Sequence, residues 1–472
     1  MLSTQATRTE HDSLGAIEVP ADALWGAETQ RCLEHFAIGS QTMPLSMVHA
    51  MARIKRAAAR VNAELGLLDL AKAHAVAEAA TQVVAGRHDR HFPLSLWQTG
   101  SGTQSHMNLN EVLANLASLA LGGGLGAARV VDPHDHVNRG QSSNDVFPTA
   151  MHMAAAARLA PLLSALADLR ATLRAKAVAF DDVVKVGRTH LQDATPVTMG
   201  QEFTAYDAQL ALADTALQQA RQPLLALPLG GTAVGNGMNT HAEFGARVIR
   251  QLALELQTPF TATANRLAGT AGHEALVILH GALRLLAVVL IKFGNDLRLM
   301  ASGPRAGLGE IELPANEPGS SIMPGKVNPT QVEAMLMVCQ QVMGHDVAIG
   351  IAASQGQFEL NACKPLIAFD LLESLQLLTD AMTSFSRFCL QGITVRAATL
   401  AGQIDRSLML AAALAPHIGH ARAAALATRA HEQGQTLREV AVATGEVSAA
   451  DFDAWVSVRE MLGPRSQTHA PP

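Results

Sequence analysis

Aromatic residues make up only 4% of the 472 residues, and tyrosine occurs once. Sheets draw their cross-strand packing from β-branched and aromatic side chains, so this scarcity, beside abundant alanine, excludes a sheet-dominated fold and favours closely packed helices. Cysteine is sparse too: Cys32, Cys339, Cys363 and Cys389 lie far apart, with no C-x-x-C pair. That spacing argues against a disulfide framework and a thiolate zinc site, and fits a reducing, cytoplasmic setting. Positive charge is not in excess. Lys plus Arg number 35 against 41 Asp plus Glu, a formal charge of −6, so no basic field awaits a nucleic acid. Long hydrophobic runs are missing as well: the most apolar stretch, "LLAVVLI" (Leu285 to Ile291), is bounded by Arg284 and Lys292 and is too short to cross a bilayer. The opening "MLSTQATRTEHDSLG" has no apolar core of the kind a secretory signal needs. No internal repeat or low-complexity tract is present. A soluble protein with neither membrane nor nucleic-acid partner is expected.

What is present is helical periodicity. In "RLAPLLSALADLRATLRAKA", leucines 159, 162, 163, 166, 169 and 173 recur at steps of three and four, which puts them on one stripe. Tyr206, Leu210, Ala213 and Leu217 repeat the pattern, and His273 to Met300 is apolar on nearly every side, as a helix central to a bundle would be. Glycine and proline cluster between these stretches. They divide the chain into a mixed, mainly helical N-terminal domain (1–140), a central long-helix domain (141–365) and a small helical C-terminal domain (366–472). With 49% hydrophobic residues, the chain can bury cores of that number.

Each interruption carries short hydroxyl or amide side chains beside glycine: Ser101, Gly102 and Thr103; Ser142, Ser143 and Asn144; Thr189 and His190; Ser320, Ser321, Lys326 and Asn328. Singly, each reads as a cap or turn. Together, short donors and one lysine suit a small dianion whose carboxylates need several hydrogen bonds and one fixed positive charge. In "GSSIMPGKVNP" (319–329), Gly319, Pro324 and Gly325 cannot sit comfortably inside a helix, so Ser320 and Ser321 fall on a loop suited to an active-site lid. Glycine-rich "LGGGLG" and "GGTAVGNG" lack the strand context and G-K-[ST] ending of a phosphate loop, and read as turns.

These segments resemble class II fumarases of the fumarase/aspartase superfamily: "DSLGAIEVPADALWGAETQR", "WQTGSGTQS", "QSSNDVFPTAMH", "GRTHLQDATP", "LGGTAVG", "ASGPRAGLGEIELP", "GSSIMPGKVNP" and "KVNPTQVEA" follow one another in the family's order from about residue 8 to residue 463. The resemblance implies a mainly α, three-domain fold with a long central helical bundle, and a homotetramer in which three subunits share each active site. It also implies reversible trans hydration of fumarate to (S)-malate with no essential metal or organic cofactor. By the same resemblance Ser320 is the base, and His190, oriented by Glu333, handles the proton on water. Lys326 and Asn328, with loop amides, stabilise the aci-carboxylate, and Ser101, Gly102, Thr103, Ser142, Ser143, Asn144, Thr189 and Ser321 hold substrate.

Departures stand beside the match. His106 occupies a position where the family usually has asparagine. In the accessory dicarboxylate segment Arg129 and Asp135 match, while Asp132 and His134 replace His and Asn, and an added carboxylate works against an anion site by repulsion. Ala362, Cys363 and Lys364 also differ. Read without the family, Asp132, His134, Asp135 and His136 suggest a metal site, but loop polarity explains them more simply. Two rival readings follow: aspartate ammonia-lyase, which shares the lid and the carbanion chemistry, and a non-enzymatic structural member of the superfamily. The latter predicts loss of Ser320, His190 or Lys326, and all three are present.

Overall fold

The computed structural model describes residues 6–463. A short antiparallel hairpin, β1 (Thr7–Asp12) and β2 (Gly15–Pro20), leads into α1 (Ala27–His35), α2 (Leu45–Glu64), α3 (Leu70–Val84) and α4 (Thr103–Ala120). The 37-residue α5 (Ser143–Ala179) is followed by a second hairpin, β3 (Val184–Thr189) and β4 (Gln192–Thr198), then α6 (Met199–Leu224). Two-residue β5 (Ala226–Leu227), α7 (Phe244–Leu256), two-residue β6 (Thr261–Ala262) and α8 (Arg266–Ala271) precede α9 (Glu274–Met300). Then come β7 (Ile311–Glu312), α10 (Thr330–Ala353), α11 (Lys364–Phe388), β8 (Thr394–Val395) and five smaller helices: α12 (Ala397–Arg406), α13 (Ala411–Ile418), α14 (His420–Gln433), α15 (Leu437–Ala443) and α16 (Ala449–Trp455). Strands form only two-stranded pairs among the described residues, so the fold is mainly α, as the scarcity of aromatics implied.

The chain divides into two compact units, one of Met1–Ser164, Ala213–Ala287 and Val338–Thr379, the other of Ala165–Leu212, Val288–Met337 and Asp380–Pro472. The division falls inside α5, α6, α9, α10 and α11, so each unit holds part of all five long helices. In the first unit, Glu111 of α4 is buried and accepts from Gly26 N, Glu28 N and Thr29 Oγ1 at 2.9, 2.9 and 2.6 Å. It thereby satisfies the open N–H groups at the start of α1, whose own N-cap residue, Gly26, offers no side chain. In the second unit a ladder of aromatic edges, Phe180–Phe203–Tyr206–Phe293–Phe385, joins α6, α9 and α11 with centroid spacings between 4.8 and 5.9 Å. Helices α13 to α16 close over a core of their own, including Leu414, Leu426, Leu437 and Phe452.

The periodic stripes bury as the spacing requires: Leu159, Leu162, Leu166, Leu169 and Leu173 are inaccessible or nearly so, with Leu163 half-buried. Two expectations need correction. Helix α9 is not enclosed on all sides within one protomer, because Ile278, Val288 and Leu299 are exposed. And α5, α9 and α10 are each long and apolar enough to cross a membrane by length and composition. In α9, single polar residues such as His280, Arg284 and Lys292 interrupt the apolar side chains, so no long unbroken run marks the helix in the sequence.

Candidate active site

Three of the four polar segments lie where a helix begins. Ser101 and Thr103 stand at the start of α4, their hydroxyls 2.8 Å apart, and Ser142, Ser143 and Asn144 open α5. Ser320, Ser321, Lys326 and Asn328 lie in the irregular segment that leads into α10. A helix start offers unpaired N–H groups and the positive end of the helix dipole, both favourable to a carboxylate. Gly102 is required at its place. Its φ is +77°, and a Cβ there would lie 2.4 Å from the Phe147 ring.

In the first unit, the α4 and α5 segments are joined by His106. Its Nδ1 lies 2.8 Å from Ser143 Oγ and its Nε2 2.5 Å from Lys55 Nζ, and Lys55 also donates to Asn138 Oδ1 at 3.0 Å. Lys55 and His106 are wholly inaccessible. Burial and the neighbouring Lys55 push the imidazole well below its usual range, and burial likewise lowers Lys55, opposed by the charge of Asp145. Asp145, also fully buried, accepts from Ser142 N (3.0 Å), Gly230 N (2.8 Å) and Thr232 N (3.0 Å), which fixes the turn before α5. Burial raises this carboxyl, and those N–H donors work against the rise. Asn144 reaches Ala233 O at 2.8 Å.

Of the accessory residues, Arg129 is taken up by buried Glu10 at 2.7 Å, and His134 pairs with Glu28 at 2.8 Å, which raises its pKa. Asp132 accepts from His134 N and Asp135 N, capping a π-turn at Pro133–Val137. His134 and Asp135 line a cavity of about 850 Å³ with Asn138, Ser142, Thr232 and His241. Both basic groups expected to attract an anion are thus already paired with carboxylates. Among the described residues, no three His, Cys, Asp or Glu side chains converge as a metal site would require.

In the second unit, Thr189 and His190 sit at the tip of the β3–β4 hairpin. The two-residue turn is His190–Leu191, with φ of +56° and +61°. Both positive values define a turn normally given to Asn-Gly, so two ordinary side chains hold a costly conformation here. His190 is exposed and Leu191 is 71% exposed. The hairpin is anchored at its root: wholly buried Glu310 accepts from Arg188 at 2.7 Å and pairs with Lys185 at 3.1 Å, just before β7 and the lid. The backbone of the segment expected to form a lid folds closely back on itself, for a Cβ on Gly319 (φ +84°) would lie 2.4 Å from Lys326 O. Ser320 is half-buried, while Ser321 and Lys326 are exposed. Lys326 and Asn328 line a cavity of about 590 Å³ with Arg298, Ser302 and Arg396. Glu333 is exposed in the first turn of α10, and among the described residues neither it nor His190 makes a side-chain hydrogen bond.

Residues 15–344 match the family model described as Lyase, and residues 410–463 match that described as Fumarase C C-terminus. The chain is 57% identical over 460 residues to the class II fumarate hydratase of Chromobacterium violaceum, covering 97% of this chain and 100% of the relative. This chain belongs to the class II fumarase family. The class II fumarate hydratase of Thermosynechococcus vestitus is 54% identical over 98% of this chain and 99% of its own length. The crystal structure of the class II fumarase from Schistosoma mansoni superposes with a TM-score of 0.94 at 42% identity, covering 98% of this chain and all of that one. The structure adds three buried ionisable residues to the candidates, Lys55, Asp145 and Glu310. Lys55 falls on the buried stripe of α2 with Met51, Ile54 and Ala58, and a lysine on an apolar stripe is a signal available without coordinates. Asp145 stands three residues after Ser142, the spacing of a helix-start box. Glu310 had no such mark.

Proposed function

We propose that this protein is a fumarate hydratase that interconverts fumarate and (S)-malate by trans addition of water. The observation that carries the reading is end-to-end similarity to class II fumarate hydratases at more than 50% identity over essentially both chains. The helix starts of α4 and α5 bind the substrate carboxylates through Ser101, Thr103, Ser142, Ser143 and Asn144, with Thr189 and Ser321 completing the contacts. Removing the C3 proton of malate is feasible only once the charge moves onto the adjacent carboxylate, so stabilising that aci-carboxylate is the main catalytic task. Lys326, Asn328 and the lid amides supply it. Ser320 takes the C3 proton, and His190 handles the proton on water with Glu333 orienting its ring. No metal or organic cofactor is required, and the setting is cytoplasmic.

A homotetramer with sites built from three subunits is part of this reading. Two observations support it: the His190–Leu191 tip is strained and exposed, and α10 leaves Met337, Val347 and Ile351 uncovered. The three-part division at 140 and 365 belongs to the same proposal. The test is absorbance in the fumarate band after mixing the protein separately with (S)-malate and L-aspartate, with no metal or nucleotide added. Fumarate from malate alone is expected. Fumarate from aspartate alone would make the protein an aspartate ammonia-lyase, and silence with both would favour a non-enzymatic member.

A further inference from the structure

The chain Lys55–His106–Ser143 is continuous at 2.5 and 2.8 Å and lies inside the first unit. Its geometry constrains where protons can sit. An ammonium has no lone pair, so a protonated Lys55 can only donate to His106 Nε2. That nitrogen must then be bare, the ring proton must be on Nδ1, and Nδ1–H must donate to Ser143 Oγ. With one lone pair so engaged, the Ser143 hydroxyl proton is free to point outward. If Lys55 loses its proton, the sequence of donors can reverse: Ser143 donates inward to Nδ1, Nε2–H donates to the amine, and Ser143 turns only lone pairs to a ligand.

We propose that Lys55 and His106 are positioning residues that set the donor direction of Ser143, so that Ser143 donates to the substrate carboxylate while Lys55 is protonated and opposes it when Lys55 is neutral. The inference rests on the reading of Ser143 as a substrate contact. The groups facing the pair are Asn138, which accepts from Lys55, and Asp145 and His134, whose charges act on Lys55 and His106 respectively. Burial lowers Lys55 more than Asp145 restores it, which brings the transition below the ordinary lysine range. Malate is a dianion throughout neutral and alkaline pH, so the dependence belongs to the protein. Because the dianion favours the ammonium form, its binding takes up a proton above the transition.

The test is steady-state kinetics with malate across the acidic, neutral and alkaline range in which the protein stays folded, on the wild type and on Ser143→Ala, His106→Leu and Lys55→Met. In the wild type, KM rises through one ionisation by about tenfold, the scale of a lost hydrogen bond to a charged group, while kcat moves much less. His106→Leu and Lys55→Met show a raised KM without that ionisation. If Ser143→Ala leaves KM unchanged, Ser143 is not a substrate contact and the premise fails. If Ser143→Ala raises KM but His106→Leu keeps the wild-type pH dependence, the premise stands and the inference is overturned. Should the variants fold poorly, neutron diffraction on the wild type decides the matter: deuterium on Nδ1 of His106 below the transition supports the relay, and deuterium on Nε2 sinks it.

Discussion

At the scale of single residues, the site is a set of small side chains whose meaning depends on what lies behind them. Ser142, Ser143 and Asn144 are unremarkable as a tripeptide, yet buried Asp145 clamps the turn through three N–H groups and His106 holds Ser143 from within. Ser320 differs: among the described residues its hydroxyl accepts from Ile322 N alone, at 3.4 Å, so the proposed role as base requires groups that surround it when substrate is bound. Ser320→Ala is expected to lower kcat by at least ~100-fold, the usual scale of proton-transfer catalysis, with circular dichroism unchanged. Turnover near the wild-type rate would remove Ser320 from the role of base. The hydroxyl residues were legible in the sequence because glycine and proline set them apart. Lys55 was marked only by its place on the apolar stripe of α2, which signals burial but not what the ammonium meets there.

At the scale of elements, helix starts and one hairpin do the positioning. The spacing of apolar residues predicted the long helices, and the Gly-Pro clusters predicted where they stop. It did not reveal that α4, α5 and α10 begin at the candidate contacts, since a boundary in sequence carries no direction in space. The β3–β4 tip was legible only as a polar interruption, whereas its two left-handed residues appear in the backbone alone. Leu191→Gly should raise the urea midpoint by an amount worth about 1 kcal/mol, because glycine adopts φ of +61° without the Cβ penalty. Leu191→Ile should lower it, since a β-branched side chain suits that conformation worst. The same sign for both substitutions would show that the turn is not strained.

At the scale of the whole molecule, one protomer leaves apolar helix surface uncovered. Met337, Val347 and Ile351 of α10 are each more than 60% exposed and fall on one face at helical spacing, and Ile278 and Val288 of α9 are about half exposed. Such surface is stable in water when copies of the chain cover it. The double substitution Val347→Glu with Ile351→Glu is expected to give a species smaller than a tetramer by light scattering, with turnover lost alongside. A tetramer that survives would place the interface elsewhere, and an active monomer would overturn the shared-site picture.

The sequence by itself determined the helical class, the places where helices break, the candidate hydroxyl, amide, lysine and histidine residues, and the family. All of these follow from local composition, periodicity and the order of motifs along the chain. Only the tertiary structure decided that Lys55 and His106 stand behind Ser143, that Arg129 and His134 are already paired with Glu10 and Glu28, and that α9 and α10 keep exposed apolar faces. The physical reason is the same in each case. Burial, pairing and proton position depend on groups brought together from segments as much as 119 residues apart, and no spacing along the chain encodes which of them meet.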